Sequence, residues 1–380
     1  MKVLFAWHAA VEPEYRKLFQ ELAQVGMELV AFLPTAWTEG GRLQKPPRRT
    51  NDSYRIVLSP VAFRDKVKRF FYLNIIPIIQ TIKHFRPDIV HIFEEPYSLA
   101  CAELVGLTRM FHPSAKVVIQ SFENLPPIHR PPFLIIERFV LKGADALLTI
   151  PSEGEALWRN RDFRGPIYHI PVGLDENLFR KTDAHLSSLP IINERERPLR
   201  IAYAGRLVRE KGVSLLLQAL YFLVKEGINV ELVIVGDGPE RNVLKLQRDK
   251  LGVTNYVVFI DSLQSHDLPL LYSNVDILVL PSLTTETWKE QFGRVLVEAM
   301  ACEVAVVGSS SGEIPDIVGD AGIVFPEGDI SALSRVLKEL VLDPGLREKL
   351  GKAGRARVLK HFTWRSVAER LCRIYAEVRN

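Results

Sequence analysis

The stretch Leu199-Arg200-Ile201-Ala202-Tyr203-Ala204-Gly205-Arg206-Leu207-Val208-Arg209-Glu210-Lys211-Gly212 decides how the chain is read. Its first half is an apolar run of strand length ending at Tyr203. A turn carrying Gly205, Arg206 and Lys211 follows, and an amphipathic stretch of helical length opens at Gly212 and runs to Lys225. The unit then repeats: strand Val230–Val235, helix Glu240–Leu251, strand Val257–Ile260, helix Leu268–Ser273, strand Ile277–Leu280, helix Arg294–Ala301 and strand Ala305–Gly308 are predicted. Strands alternating with helices signify a parallel sheet covered on both faces.

The same alternation precedes this stretch. Strands are predicted at Lys2–Phe5, Glu28–Leu33, Ile89–Phe93, Val117–Gln120, Ala146–Ile150 and Ile167–Ile170, with helices between them such as Glu14–Val25 and Phe133–Lys142. From Arg180 to Pro198 periodicity is lost among Lys, Asp, Ser, Glu and Arg, the pattern of a linker. A chain of 380 residues also exceeds what one hydrophobic core supports. The expected organisation is therefore a first α/β domain over 1–180, a linker over 181–198 and a second α/β domain over 199–363. An amphipathic helix from Phe362 to Val378 closes the chain, with Trp364, Val367, Leu371, Ile374 and Tyr375 on helical spacing.

Composition excludes several classes. Apolar residues make up 47% and charged ones 25%, ordinary for a globular protein, and a net charge of +4 is too small to argue for nucleic acid. The run Met1–Trp7 is too short for a signal peptide, and Phe70–Ile82 is interrupted by Asn74 and Pro77, so no membrane-spanning helix is expected. Cys101, Cys302 and Cys372 are widely spaced, which argues against a disulfide framework and for the reducing cytoplasm. Between Arg42 and Arg86 basic residues accumulate, interleaved with Phe63, Phe70, Phe71 and Tyr72. One reading is a solvated helix face with its aromatics turned inward. The other is peripheral contact through Arg64–Tyr72 with anionic lipid or an anionic acceptor.

The chemistry concentrates between Pro281 and Gly312. Glu290 and Glu298 are separated by seven residues, so a helix starting near Gly293 puts the first in the entering loop and the second inside the helix. Both can face the carboxyl end of a parallel sheet, where such folds bind ligands. The amides around Phe292, Gly293 and Arg294 form a helix N-terminus suited to a diphosphate, and the carboxylates suit sugar hydroxyls. Arg206 and Lys211, projected from one strand-to-helix loop, suit a departing nucleoside diphosphate. Val235-Gly236-Asp237-Gly238-Pro239 has Arg241 where a dinucleotide fingerprint needs its third glycine, and reads as a tight turn.

Together these segments resemble the family-four retaining glycosyltransferases of GT-B fold, also called group 1 glycosyl transferases. The resemblance rests on Ala204-Gly205-Arg206 with Lys211-Gly212, on Val235–Pro239, Pro281-Ser282, and the Glu290/Glu298 pair running into Ala299-Met300-Ala301-Cys302. It continues through Gly312-Glu313-Ile314-Pro315-Asp316 and Gly322–Phe325 to Phe362-Thr363-Trp364, and covers residues 199 to 380. It implies two doubly wound Rossmann-like domains facing a central cleft, with the nucleotide sugar held by the second domain and the helix over 364–380 packing back on the first. It implies catalytic roles for Glu290, Arg206 and Lys211, and donor binding by Glu298, Phe292, Gly293, Arg294 and Gly205. Glu290 would contact the transferred sugar and Glu298 the ribose. The expected reaction moves a hexose from a UDP- or GDP-sugar to a glycan, lipid-linked or small-molecule acceptor, with no metal or other cofactor. The leaving diphosphate itself can take the acceptor's proton.

The first half departs from the family. His8-Ala9-Ala10-Val11-Glu12-Pro13 stands where relatives carry a glycine-rich loop, and Gln120-Ser121-Phe122-Glu123-Asn124 where many place a histidine. Glu123, Asn124, Glu94 and Glu95 are candidates to position sugar or acceptor, with His8, His91 and His129 behind them. A sugar-nucleotide epimerase, a phosphorylase and a non-catalytic nucleotide-sugar-binding scaffold are the competing readings. A phosphorylase would need a cofactor-lysine motif that is not found.

Overall fold

The computed structural model describes residues 1–39, 42–47, 53–126, 130–184, 186 and 198–380. They form two compact units. One comprises Met1–Gly173 with Trp364–Asn380, the other Leu174–Thr363. The segment expected as a linker begins inside the second unit, and residues 185 and 187–197 of it lie outside the described residues.

The first unit contains a parallel sheet built of β1 (Lys2–Ala6), β2 (Glu28–Pro34), β3 (Arg55–Ser59), β4 (Ile89–Ile92), β5 (Lys116–Ser121), β6 (Ala146–Thr149) and β7 (Ile167–His169). The strand order is β7-β6-β5-β4-β1-β2-β3. Strands covered by helices on both faces read as continuous apolar runs rather than alternating ones, and β1, β4 and β6 are buried almost throughout. The second unit repeats the plan with β8 (Leu199–Ala204), β9 (Val230–Val235), β10 (Val257–Ile260), β11 (Ile277–Leu280), β12 (Ala305–Ser309) and β13 (Ile323–Phe325), in the order β10-β9-β8-β11-β12-β13.

In both sheets the chain runs outward on one side of its first strand and then returns to the other side. The reversal falls between β1 and β4 in the first unit and between β8 and β11 in the second. Loops leaving the carboxyl ends of such a strand pair diverge and open a crevice, which places one candidate site per unit.

The terminal helix, Trp364–Arg379, belongs to the first unit and lies along the helix Lys17–Gln24. Its Trp364, Val367, Leu371, Ile374 and Tyr375 are all buried. Tyr375 Oη lies 2.6 Å from Nδ1 of His91, which is fully buried in β4 and stacked on Phe5. Burial drives the His91 pKa down to about 3, so the ring is neutral and packs as part of the core. The place for His91 among acceptor candidates is thereby corrected, and His129 lies outside the described residues.

The basic stretch is not the helix face considered above. Trp37–Glu39 pairs with Arg42–Gln44 and Val61–Ala62 with Phe71–Tyr72 in short antiparallel ladders, β3 is an edge strand, and helix begins only at Ile76. Ladders of two or three residues are too short to leave a period in the sequence. Phe70 and Tyr72 are buried, whereas Phe63 is 55% exposed. Among the described residues no helix is long and apolar enough to cross a membrane.

Candidate active site

The crevice between β8 and β11 collects the residues singled out in the second half. β8 ends in a loop with a short 3-10 turn, Arg209–Lys211, and Gly212 then turns the chain into the helix Val213–Lys225. Gly212 has φ 66°, and a Cβ there would stand 1.9 Å from the Pro281 carbonyl oxygen, so glycine alone lets the two loops touch. Lys211 Nζ donates to Glu290 Oε2 at 2.6 Å, and Ser282 Oγ, just beyond β11, donates to the same oxygen at 2.8 Å. The ammonium also lies 4.8 Å from the Trp288 ring centroid. Lys211 and Glu290 side chains are 14% and 8% exposed, and removing one partner of so buried a pair costs about 3–5 kcal/mol.

Gly293, at φ 76°, leads into the helix Arg294–Ala301, whose first-turn amides have no acceptor within the helix. Glu298 lies in its second turn and is 3% exposed. Arg294 Nε donates to its Oε1 at 2.9 Å and Tyr272 Oη to its Oε2 at 2.8 Å. Both oxygens are thus fixed in place. Gly205 and Arg206 occupy the loop after β8. The buried Tyr203 donates through its hydroxyl to the Arg206 carbonyl at 2.7 Å, while the Arg206 side chain is exposed and, among the described residues, without a partner. Phe292 is buried against Phe362 and contributes through its backbone position.

Sequence reasoning gave several members no role of their own. Gly312 accepts no substitution quietly: it has φ 55°, and a Cβ would stand 1.9 Å from the Glu290 carbonyl oxygen, beside the hydrogen bond from Glu313 N to that same oxygen at 3.1 Å. Ser282 was signalled only as half of the Pro281-Ser282 motif. Tyr272 and Trp288 carried no signal, because an aromatic in an amphipathic helix or a polar loop looks like any other.

The four carboxyl-edge candidates of the first unit lie beyond β4 and β5. Glu94 is 2% exposed and meets His8, which follows β1: its Oε1 accepts the His8 backbone N–H at 2.7 Å and its Oε2 lies 2.6 Å from His8 Nδ1. Glu95 bonds Ser121 Oγ at 2.6 Å and accepts the Phe122 amide at 2.8 Å. Burial, followed by the repulsion of the Glu123 carboxylate, pushes the Glu95 pKa up to about 8. Glu123, itself shifted upward by burial, accepts the Tyr97 hydroxyl at 2.5 Å, and Asn124 is buried beside it. Where a glycine-rich loop was absent, His8–Val11 forms a 3-10 turn.

Two open, doubly wound parallel sheets in one chain, each with polar residues gathered at its switch point, define the GT-B class of α/β proteins. The Anabaena protein HepE, solved in complex with UDP, shares that fold with a TM-score of 0.73, covering 99% of this chain and 100% of that one at 17% identity. Residues 188–357, a little under half of the chain, match the family described as glycosyl transferases group 1. The GDP-mannose-dependent alpha-(1-6)-phosphatidylinositol monomannoside mannosyltransferase of Mycolicibacterium smegmatis is 32% identical over 211 residues, 54% of this chain and 55% of that protein. The capsular polysaccharide biosynthesis glycosyltransferase CapM of Staphylococcus aureus is 32% identical over 177 residues, 46% of this chain and 45% of that protein. The chain thus spans about half the length of these curated relatives.

Proposed function

We propose that this protein transfers a hexose from a nucleotide diphosphate sugar to a hydroxyl of a glycan or lipid-linked acceptor, with the donor on the second unit and the acceptor on the first. The observation that carries the reading is the meeting of Lys211, Ser282 and Glu290 at the β8/β11 crevice. Arg206, on the loop that also bears Lys211, and the helix N-terminus at Gly293 complete the set. In this reading Arg206, Lys211 and the first-turn amides stabilise the departing diphosphate. Glu290 accepts hydrogen bonds from the transferred sugar and Glu298 from the ribose. Two fixed cations and a helix terminus supply the positive charge that a divalent metal would otherwise bring.

The relatives support the choice of donors to try. One is GDP-mannose-dependent by name, and HepE was solved with UDP. The alpha-(1-6) linkage in the former's name favours retention when the donor sugar is itself alpha-linked. With GDP-mannose or UDP-glucose in EDTA, the wild-type protein is expected to turn over one of them, and Glu290→Gln or Arg206→Ala to lower that turnover by about 10²-fold. Glutamine is the informative change, since alanine at 290 would leave the Lys211 ammonium without its counter-ion. Wild-type turnover in both variants would remove the assignment, and turnover abolished by EDTA would remove its metal independence.

The first unit also offers a surface for a lipid-linked acceptor. Phe63, Leu73, Ile75 and Ile76 are exposed together with Arg64, Lys66 and Arg69, where the hairpin of Val61–Ala62 and Phe71–Tyr72 runs into the next helix. Apolar side chains rimmed by cations suit the interface of an anionic membrane. We place the protein peripherally at such a membrane on the cytoplasmic side, where Cys101, Cys302 and Cys372 remain free thiols.

A further inference from the structure

The first unit has a pocket at the carboxyl ends of β2 and β3, on the far side of β1 from β4, for which the donor chemistry has no use. β2 ends at Pro34, and Thr35 and Ala36 lead into the ladder in which Trp37 pairs with Gln44. An antiparallel register carried one step further sets Lys45 opposite Ala36. The Thr35 amide donates to the Ser59 carbonyl of β3 at 2.9 Å, and the Thr38 amide to the Arg64 carbonyl at 3.0 Å, which ties the second hairpin to the first. Thr35, Ala36, Lys45, Pro46, Leu58 and Arg64 thereby line one pocket of about 320 Å³. Its chemistry is one-sided. Ala36 and Pro46 are buried, Thr35 adds a hydroxyl, Lys45 and Arg64 bring two cations, and among the described residues no carboxylate lines it. Asp65, the neighbour of Arg64, is taken by Lys66 at 2.9 Å. Two cations facing one concave, partly apolar wall focus a positive potential into it. Solvation alone would spread such like charges apart.

We infer that this pocket binds the phosphate monoester of a sugar or polyol. Two cations match the charge of about −1.5 to −2 that such an ester carries at pH 7, whereas a carboxylate brings only one. Arg64 offers the phosphate a planar fork of donors and Lys45 a point charge. The Thr35 hydroxyl serves a phosphate oxygen or a ring hydroxyl, and Ala36, Pro46 and Leu58 pack against carbon. The volume lies at the small end of ligand sites, which run from about 300 to 1,000 Å³, and so suits one sugar-sized group rather than an oligosaccharide. Lys66 and Arg69 of the surface described above do not line it. Binding is a property of the first unit alone. Its use rests on the glycosyl-transfer reading: with the acceptor on the first unit, the acceptor then carries a phosphate monoester.

The test titrates the full chain, without any nucleotide, with glucose 6-phosphate, myo-inositol 1-phosphate, glucose, glucuronate and inorganic phosphate, followed by saturation-transfer NMR. At least one of the two esters is expected to bind about 10-fold or more tightly than glucose and glucuronate. Lys45→Ala and Arg64→Ala, both at exposed side chains whose loss leaves the core intact, should each weaken that ester by about 10-fold. Arg55→Ala removes a cation of the same basic stretch from the opposite end of β3 and should change the affinity by no more than about 2-fold. Failure of both esters to bind, glucuronate held as tightly as the better ester, or an equal loss in Arg55→Ala would overturn the inference. Inorganic phosphate held as tightly as the esters would mean an adventitious ion only, and would overturn it too. Flotation with phosphatidylinositol vesicles that depends on Lys45 and Arg64, while the esters fail, would give the pocket to a lipid phosphodiester instead. None of these outcomes bears on the donor crevice, because no nucleotide is present; the glycosyl-transfer reading fails separately, if no nucleotide shifts the melting temperature.

Discussion

Glu95 keeps its proton at neutral pH because desolvation and the Glu123 carboxylate both penalise its charge, and Ser121 and the Phe122 amide offset only part of that. Glu103 behaves alike, raised to about 7 by burial. The consequence for stability follows from the sign of the shift. The folded state retains protons that the unfolded chain releases near pH 4.5, so the stabilisation is complete below that pH and is lost as pH rises through about 8. The melting temperature should therefore fall across that window. Glu95→Gln should flatten the fall and raise the melting temperature at pH 9 by roughly 2–4 °C for each kcal/mol recovered. A variant with the wild-type pH profile would show that Glu95 titrates normally. At this scale the Glu290–Lys211 pairing was within reach of the sequence, since motif spacing put both at one sheet edge. His8 with Glu94 was not, because two residues 86 apart meet only through the register of β1 against β4.

Turns and short ladders decide what each element can present. Gly312 holds the loop after β12 against the backbone of Glu290, and an alanine there would bring both the strain of a positive φ and a collision with the Glu290 carbonyl. Gly312→Ala is expected to cost about 1–3 kcal/mol and most of the turnover, measured by thermal melts and nucleotide release; full activity would mean that the Glu290 loop tolerates displacement. On the first unit, the hairpin that carries Phe63 and Arg64 should bind vesicles containing anionic phosphatidylglycerol in flotation. Charge reversal at Lys66 and Arg69 should abolish that binding, and unchanged flotation would remove the membrane role. Long strands were legible because a parallel sheet buried on both faces writes unbroken apolar runs. The ladder strands Val61–Ala62 and Phe71–Tyr72 were not, since two residues carry no period.

Across the whole molecule, two units with separate cores repeat one plan, and each gathers its polar residues where the strand order reverses. The alternation of strand and helix announced that plan. The path of the terminal helix rests on side chains such as Tyr375 finding His91, 284 residues away, which no local pattern encodes. What makes the molecule an enzyme in this reading is that the second unit captures a nucleotide diphosphate at the β8/β11 crevice. Thermal shift with UDP, GDP and ADP tests that most directly. One of the three should raise the melting temperature by an amount equivalent to about 2.7 kcal/mol at a hundred times its Kd, and Arg206→Ala should remove most of that rise. No shift with any of them, or a shift untouched by Arg206→Ala, would contradict the site.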